Sequence, residues 1–358
     1  MNPEMTPSTV IDVGSLFFKV GRSTGDTPKP FPAIIGLPRS HMRGFARRVG
    51  EYAQNPSYIS TYPIENGIVK DWDGFGRLLK HSVQIDDCEK TDPVVLTQSS
   101  MTSIQEAEKK ATILFEEVGV PAALIVDQSF ATLSSTGRLT GIVVDCGDGA
   151  TTIVANDCVD SVSIRHALCQ FNVGGSDITN NLVDKLRARG IYDLTYPWPR
   201  LVRGLKEEAC YVAYDINKEK AQEKVIDTPI GEVLLESERF LCPEILFERD
   251  GGLHKAIYHT ILKCPESVRE EMFDNIVLGG GTTMLPGFAE RLAKEIKTLA
   301  PEGTKVRVIA VQNRKTMSWE GAVTIGSLDA VKKLRATKAD YDENGPSVIH
   351  KATFYHYR

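Results

Sequence analysis

Short apolar runs that break into glycine recur along the chain. Val10-Ile11-Asp12-Val13-Gly14 opens one such segment, followed by β-prone Ser15 to Val20; Val143-Val144-Asp145-Cys146-Gly147 opens another, followed by Asp148 to Val154. Both read apolar, apolar, Asp, any residue, Gly, then a turn and a strand. They lie about 130 residues apart, a weak internal repeat that points to two similar halves. Between them, Pro93 to Gln98 reads as a short buried strand. Ser103 and Glu106 form a capping box, and Ile104, Ala107, Ala111, Leu114 and Val118 recur at helical spacing until Gly119 and Pro121 end the helix. Ala122 to Val126 is the next strand. Strand, helix and strand in succession predict an α/β layer fold with crossover connections.

The second half follows the same logic. Gly174-Gly175-Ser176-Asp177 precedes a helix with Ile178, Leu182 and Leu186 on one face, and Ser176 or Asp177 is expected to cap it. Residues 215–250 are charged and less periodic and read as a smaller peripheral lobe. Ile276-Val277-Leu278 is a short strand running into Gly279-Gly280-Gly281-Thr282-Thr283, and Gly287 to Ile296 reads as a helix. No low-complexity linker separates the halves, so they are expected to pack on each other.

Composition narrows the classes. The chain has 358 residues, 42% hydrophobic and 25% charged, enough for two domains or one large split domain. A net charge of −5 gives no basic surface for nucleic acid. Seven scattered cysteines (Cys88, Cys146, Cys158, Cys169, Cys210, Cys242 and Cys264), without CxxC spacing, are expected to be reduced thiols of a cytosolic or nuclear protein. No apolar run reaches the roughly 18 residues of a membrane span, and MNPEMTPSTV lacks the basic-then-apolar order of a signal peptide.

The glycine turns carry the chemistry. A glycine-rich turn lets backbone N–H groups approach a phosphate with no Cβ in the way. Three such turns, at residues 12–15, 147–150 and 279–283, each follow an apolar strand, which points to a two-sided phosphate clamp. Asp12 and Asp145 hold the same place in the two repeats. A bare carboxylate pair beside a triphosphate would repel it, and a divalent ion held through water resolves the conflict. Turn-stabilising hydrogen bonds are the plainer reading for Asp148 and account less well for Asp12.

This constellation resembles the actin family. YPIENGIVKDWD (residues 62–73), TGIVVDCGDGATT (140–152), IVLGGGTTMLPGF (276–288) and YDENGPSVIH (341–350) match in the family's order and approximate spacing, through nearly the whole chain. The resemblance implies the two-lobed α/β superfold shared with Hsp70 chaperones and sugar kinases, with four subdomains around ATP or ADP and Mg²⁺ (or Ca²⁺) in a central cleft. Its small lobe would take residues 1–135 and 317–358, with 34–64 as a subdomain. Its large lobe would take residues 136–316, with 174–252 as a subdomain.

Carried over residue by residue, Asp12, Gly14, Ser15, Leu16 and Lys19 match the first phosphate loop, with Lys19 on the β/γ phosphates. Asp145, Gly147, Asp148, Gly149 and Ala150 match the second loop, with Gly175 beside it. Gly280, Gly281, Thr282 and Met284 match the adenosine segment. Arg203, Lys206 and Glu207 match residues that flank base and ribose, in a run that by pattern alone is an amphipathic helix with a charged outer face. Lys315 would lie by the adenine. Asp12 and Asp145 would hold the metal through water, and Gln128 matches the residue that orients the attacking water, with Asp145 as its catalytic companion.

The departures bear on function. Thr152 stands where the family has a histidine that helps position that water, and Leu16 replaces a glycine, crowding one amide. Hydrolysis is therefore expected to be weak or absent. The stretch from Pro38 to Glu51 is shorter than the family's subunit-clasping loop and basic, with Arg39, Arg43, Arg47 and Arg48. Glu248 to Gly252 replaces a longer apolar plug. The tail KATFYHYR is aromatic and reads equally as a flexible end or a partner-binding one. These features imply an ATP/ADP-binding cytoskeletal or assembly subunit with protein partners, in the cytoplasm or nucleus. A conventional filament-forming, ATP-hydrolysing actin and a sugar or acetate kinase of the same superfold are the alternatives.

Overall fold

A computed structural model describes residues 7–25, 27–39, 46–55, 57–85, 88, 91–157, 162–193 and 197–354. Contacts divide the chain into two units: residues 1–139, 156–163 and 316–358, and residues 140–155 and 164–315.

In the first unit, the two-residue period of the strands sorts the core into two layers. Thr9–Val13 pairs antiparallel with Phe17–Arg22 and parallel with Val94–Gln98, which pairs parallel with Ala122–Asp127. Lys29–Pro32 extends one edge, while Ala336–Thr337 and Thr353–Phe354 both pair with Ala122–Asp127 at the other. Ile11, Leu96 and Ile125 share a core with Phe75 and Leu78 of the helix Trp72–Ser82 and with Ala107 and Ala111 of the helix Ile104–Thr112. Their strand neighbours Val10, Val95 and Leu124 share another with Phe130 of the helix Gln128–Ser134 and Trp319 of the helix Met317–Ser327. Adjacent strand residues point to opposite faces, so strands with consecutive apolar residues build a sheet covered on both sides. A smaller antiparallel sheet of Ile35–Pro38, Arg48–Val49 and Tyr58–Thr61 completes this unit.

The expected helix over residues 104–118 is two elements. The capping box of Ser103 and Glu106 forms, but the α-helix stops at Thr112 and continues as the π-helical segment Ile113–Val118, ending at Gly119 with φ 80°. The wider turn shifts the buried face, so Ile113, Leu114 and Phe115 are all inside, whereas Ile104 is 55% exposed and takes no part in the apolar face.

In the second unit, Thr140–Cys146 and Ile276–Gly279 pair in parallel, with Val143 opposite Val277. Val308–Ile309, Thr151–Asp157 and Val162–Phe171 complete a five-stranded sheet. Ile142, Val144 and Ile153 pack with Ile178, Leu182 and Leu186 of the helix Gly175–Ala188 and with Leu292 of the helix Phe288–Leu299. That first helix is capped differently from expectation. Gly174 is the N-cap, and Asp177, at the third helical position, accepts the Gly174 N–H at 2.9 Å. Ser176 caps nothing and instead donates its hydroxyl to the Asp148 carbonyl at 2.8 Å. Residues 215–250 form the hairpin of Lys224–Thr228 and Gly231–Leu235 and two short helices. Their Ile226, Val233, Leu246 and Phe247 belong to the same core as the sheet. Glu248 to Gly252 is a tight charged turn, with Asp250, Gly251 and Gly252 at positive φ and Arg249 paired with Asp177 at 2.7 Å.

Two substitutions test this packing. A Cβ on Gly321 would overlap the Ala131 carbonyl oxygen of the neighbouring helix. Gly321→Ala is expected to destabilise by at least ~1–3 kcal/mol in urea unfolding. Lys110 is buried, with its ammonium donating to Thr102 Oγ1 at 3.3 Å. Burial lowers its pKa from 10.5 to about 8, against the opposing pull of Glu106. The unfolded chain holds that proton more tightly, so the lysine's contribution to stability improves as pH climbs from about 8 towards 10.5. Lys110→Met is expected to stabilise the protein by about 2–3 kcal/mol at neutral pH. That advantage should shrink over the same alkaline range in paired denaturant titrations.

Candidate functional site

In the first unit, Thr9–Val13 delivers Asp12 to the edge of a turn through Gly14, Ser15 and Leu16. A Cβ on Gly14 would lie 2.5 Å from the Phe17 carbonyl oxygen, so the turn requires glycine there. Ser15 Oγ accepts the Gly67 N–H at 3.1 Å. Leu16 is buried, and its carbonyl accepts the Ala33 N–H at 2.9 Å.

Strand register sets Lys19 opposite Asp12, and Lys19 Nζ lies 2.6 Å from Asp12 Oδ2. Asp12 Oδ1 accepts from Thr97 Oγ1 at 2.8 Å, Ser318 Oγ at 2.9 Å and Gln128 Nε2 at 3.2 Å. Burial alone would raise the Asp12 pKa. The Lys19 charge and hydrogen bonds from Lys19, Thr97 and Ser318 outweigh it and hold the carboxyl below its ordinary 3.8. Gln128 opens a helix capped by Asp127, whose Oδ1 accepts the N–H groups of Ser129 at 2.8 Å and Phe130 at 3.1 Å. Its amide nitrogen also donates to the Val13 carbonyl at 2.7 Å. Among the described residues, the partners of that nitrogen are on the first strand or Thr97, and the amide oxygen is the group's remaining acceptor.

In the second unit, three segments converge on the turn of residues 147–150: residues 174–176, Arg203 and Thr282. The Gly147 carbonyl accepts from Gly175 N–H at 3.0 Å and Thr282 Oγ1 at 2.7 Å. The Asp148 carbonyl accepts from both the N–H and the hydroxyl of Ser176, each at 2.8 Å. With these carbonyls facing inward, the N–H groups of Asp148, Gly149 and Ala150, which have no acceptor among the described residues, remain for an anion.

Gly175 admits no side chain. A Cβ there would lie 2.7 Å from Thr282 Oγ1, 3.0 Å from Lys206 Nζ and 3.2 Å from Asp148 Oδ1. Gly280, at φ 84°, passes so close to Cys146 that a Cβ would overlap its carbonyl oxygen. The Gly280 N–H donates to the Arg314 carbonyl at 3.1 Å, which sets Lys315 beside this segment. Gly281, Met284, Glu207 and Lys315 are exposed.

Lys206 is not on the outer face of its helix, Trp198–Ala209, as the amphipathic pattern alone implied. It is 6% exposed and donates to the Gly175 carbonyl at 2.9 Å. Burial lowers its pKa, opposed by the charges of Asp148 and Glu207. An ammonium has three donors and this one has a single acceptor among the described residues, so it retains capacity for an anionic or polar ligand. Arg203 Nε lies 4.0 Å from Asp148 Oδ1. Thr152 is half-buried beside fully buried Thr151, whose hydroxyl donates to the Val173 carbonyl at 2.8 Å.

Thr97, Ser318, Ser176 and Arg314 also join these contacts, although none belongs to a site motif of the sequence. Strand register explains Thr97: Ile11 pairs with Leu96, so the next residue on each strand brings Thr97 to Asp12. Arg43, of the basic stretch, and Tyr355 to Arg358, of the tail, lie outside the described residues. Arg47 is paired with Asp73 at 2.5 Å, and Arg48 Nε donates to Tyr58 at 3.3 Å.

Each unit is thus an α/β layer with glycine turns at its strand ends, and in the second unit the buried Lys206 is bound to the Gly175 carbonyl beside the turn of residues 147–150. A family model described as Actin matches residues 4–354, and the chain belongs to the actin family. Members of this family bind adenine nucleotide with a divalent metal. The glycine cradle of the second unit fits a nucleotide. Asp12 does not fit a water-held ion as it lies: its side chain is 2% exposed and each oxygen already has a donor.

If the cradle holds nucleotide, Gly175→Ala should weaken adenine nucleotide affinity by at least about tenfold, equivalent to about 1.4 kcal/mol. Displacement of a fluorescent ADP analogue checks this, with circular dichroism confirming an unchanged fold.

Proposed function

We propose that this chain is a nucleotide-stabilised assembly subunit that binds ATP or ADP, hydrolyses it weakly or not at all, and works with protein partners in the cytoskeleton or a related complex. The observation that carries this reading is the turn of residues 147–150, with its carbonyls tied inward to Gly175, Ser176 and Thr282 and its N–H groups left over.

In this reading, the N–H groups of Asp148, Gly149 and Ala150 bind phosphate oxygens. Lys206 and Arg203 bind the ribose side, Glu207 accepts from a sugar hydroxyl, and Gly280, Gly281, Thr282, Met284 and Lys315 border the base. The turn of Gly14, Ser15 and Leu16 serves phosphate as in other family members. Asp145 is the carboxylate assigned to the accompanying divalent ion, which when bound neutralises phosphate charge. Gln128, with its amide nitrogen tied to the first strand, offers its oxygen to a water. Thr152 supplies no imidazole for that water, and losing one such orienting group lowers rate by ~10²–10⁴.

The charged turn of Glu248 to Gly252 argues against an ordinary long filament. Its exposed Glu248, Arg249 and Asp250 would have to be desolvated in an apolar inter-subunit contact. A conventional polymerising actin would pellet with Mg–ATP and salt; this chain is expected to remain in the supernatant without its partners.

Stability should depend on the ligand. A nucleotide at a hundredfold its dissociation constant adds about 2.7 kcal/mol, so stripping it with chelator is expected to lower Tm by several degrees in differential scanning fluorimetry. An unchanged melting curve would count against the reading.

A further inference from the structure

This inference rests on the nucleotide-binding reading and concerns which groups meet the divalent ion. Asp12 and Lys19 are direct partners on paired antiparallel strands. Lys19 Nζ sits 2.6 Å from Asp12 Oδ2, with side-chain exposures of 17% for the lysine and 2% for the aspartate. The other oxygen, Oδ1, takes Thr97, Ser318 and Gln128 at 2.8, 2.9 and 3.2 Å. A carboxylate has about four lone-pair positions in all, so three donors already saturate Oδ1.

A water held by a metal ion would need a lone pair and an open approach. Oδ1 has neither, and at Oδ2 the approach is covered by an ammonium. Lys19 also cancels the charge that would draw a second cation. Strand register places the two residues side by side, because the pair lies across neighbouring strands of a sheet.

We propose that Lys19 is the resident cation of Asp12, occupying the position on Oδ2 that a metal-bound water would take, so that Asp12 does not hold the divalent ion. Any ion accompanying the nucleotide is then held by groups other than Asp12. Asp12 becomes a structural hub that fixes the first phosphate turn and Gln128. The competing picture has Lys19 swing onto a phosphate when nucleotide binds, releasing Oδ2 to the ion's water.

Mn²⁺ titration of the full-length, ADP-loaded protein separates the two, with the midpoint read from the free-ion paramagnetic resonance signal. Asp12→Asn keeps the acceptor for Thr97 and Ser318 while removing the charge. Its midpoint is expected within threefold of wild type, and a rise of threefold or more overturns the proposal. Lys19→Met covers the case in which Asp12→Asn does not fold. By uncovering Asp12 it should tighten Mn²⁺ binding by threefold or more, and an unchanged or weaker midpoint overturns the proposal. Failure of the wild-type protein to retain any adenine nucleotide overturns the nucleotide reading itself and this inference with it. That failure is scored before Mn²⁺ is added, so the two are told apart.

Discussion

A single buried carboxylate organises the first unit. Asp12 joins four elements that are far apart in sequence: the strand Phe17–Arg22 through Lys19, the strand Val94–Gln98 through Thr97, the helix beginning at Gln128, and the helix beginning at Met317 through Ser318. A buried charge is tolerated when it is paired and fully hydrogen-bonded, and leaving it unpaired is costly. The turn at Gly14 and the amide of Gln128 therefore inherit their positions from the requirement to satisfy one side chain. Trp319, next to Ser318, adds a second tie by donating its indole N–H to the Val10 carbonyl at 3.1 Å.

The second unit reaches a comparable end by different means. The turn of residues 147–150 is held through its own backbone. Its backbone carbonyls are bound from Gly175, Ser176 and Thr282; glycines at 174 and 280 allow backbone to approach backbone, and Gly175 lets the side-chain atoms of Thr282, Lys206 and Asp148 close in, where a Cβ would not fit. Two halves that look alike as sequence thus show different contacts, a multiply bonded aspartate in one and close glycine approaches in the other. Arg314 reinforces the second, its guanidinium donating to the Thr283 carbonyl at 2.9 Å and to the Val311 carbonyl at 2.8 Å.

Much of this was legible in the sequence, because runs of consecutive apolar residues and glycines at strand ends are local signals. The strands at residues 9–13, 140–146 and 276–279 announce themselves by an apolar run that meets a glycine, and those at 94–98 and 122–127 by the apolar run alone. The π-helical segment after Thr112 was not legible, since one added residue in a turn leaves the apolar spacing nearly intact. Lys206 looked like an outward charge, because periodicity cannot distinguish a solvated lysine from one drawn inward by a glycine carbonyl. Ser318 and Ser176 were hidden for a related reason. A serine's role depends on what lies across from it, and those partners sit 306 and 28 residues away.

The order in which the segments occur has a consequence for biosynthesis. The second unit is nearly continuous, whereas the first needs residues 316–358 to finish a sheet begun at Thr9. On the ribosome, the later unit in sequence has all its strands first. The earlier one waits, with Val10, Val95 and Leu124 lacking the cover of Trp319 and Ala322 and with Thr353–Phe354 not yet stitched along Ala122–Asp127. During that interval the nascent chain carries an uncovered apolar sheet face, so shielding by cellular folding factors matters most for this half of the molecule.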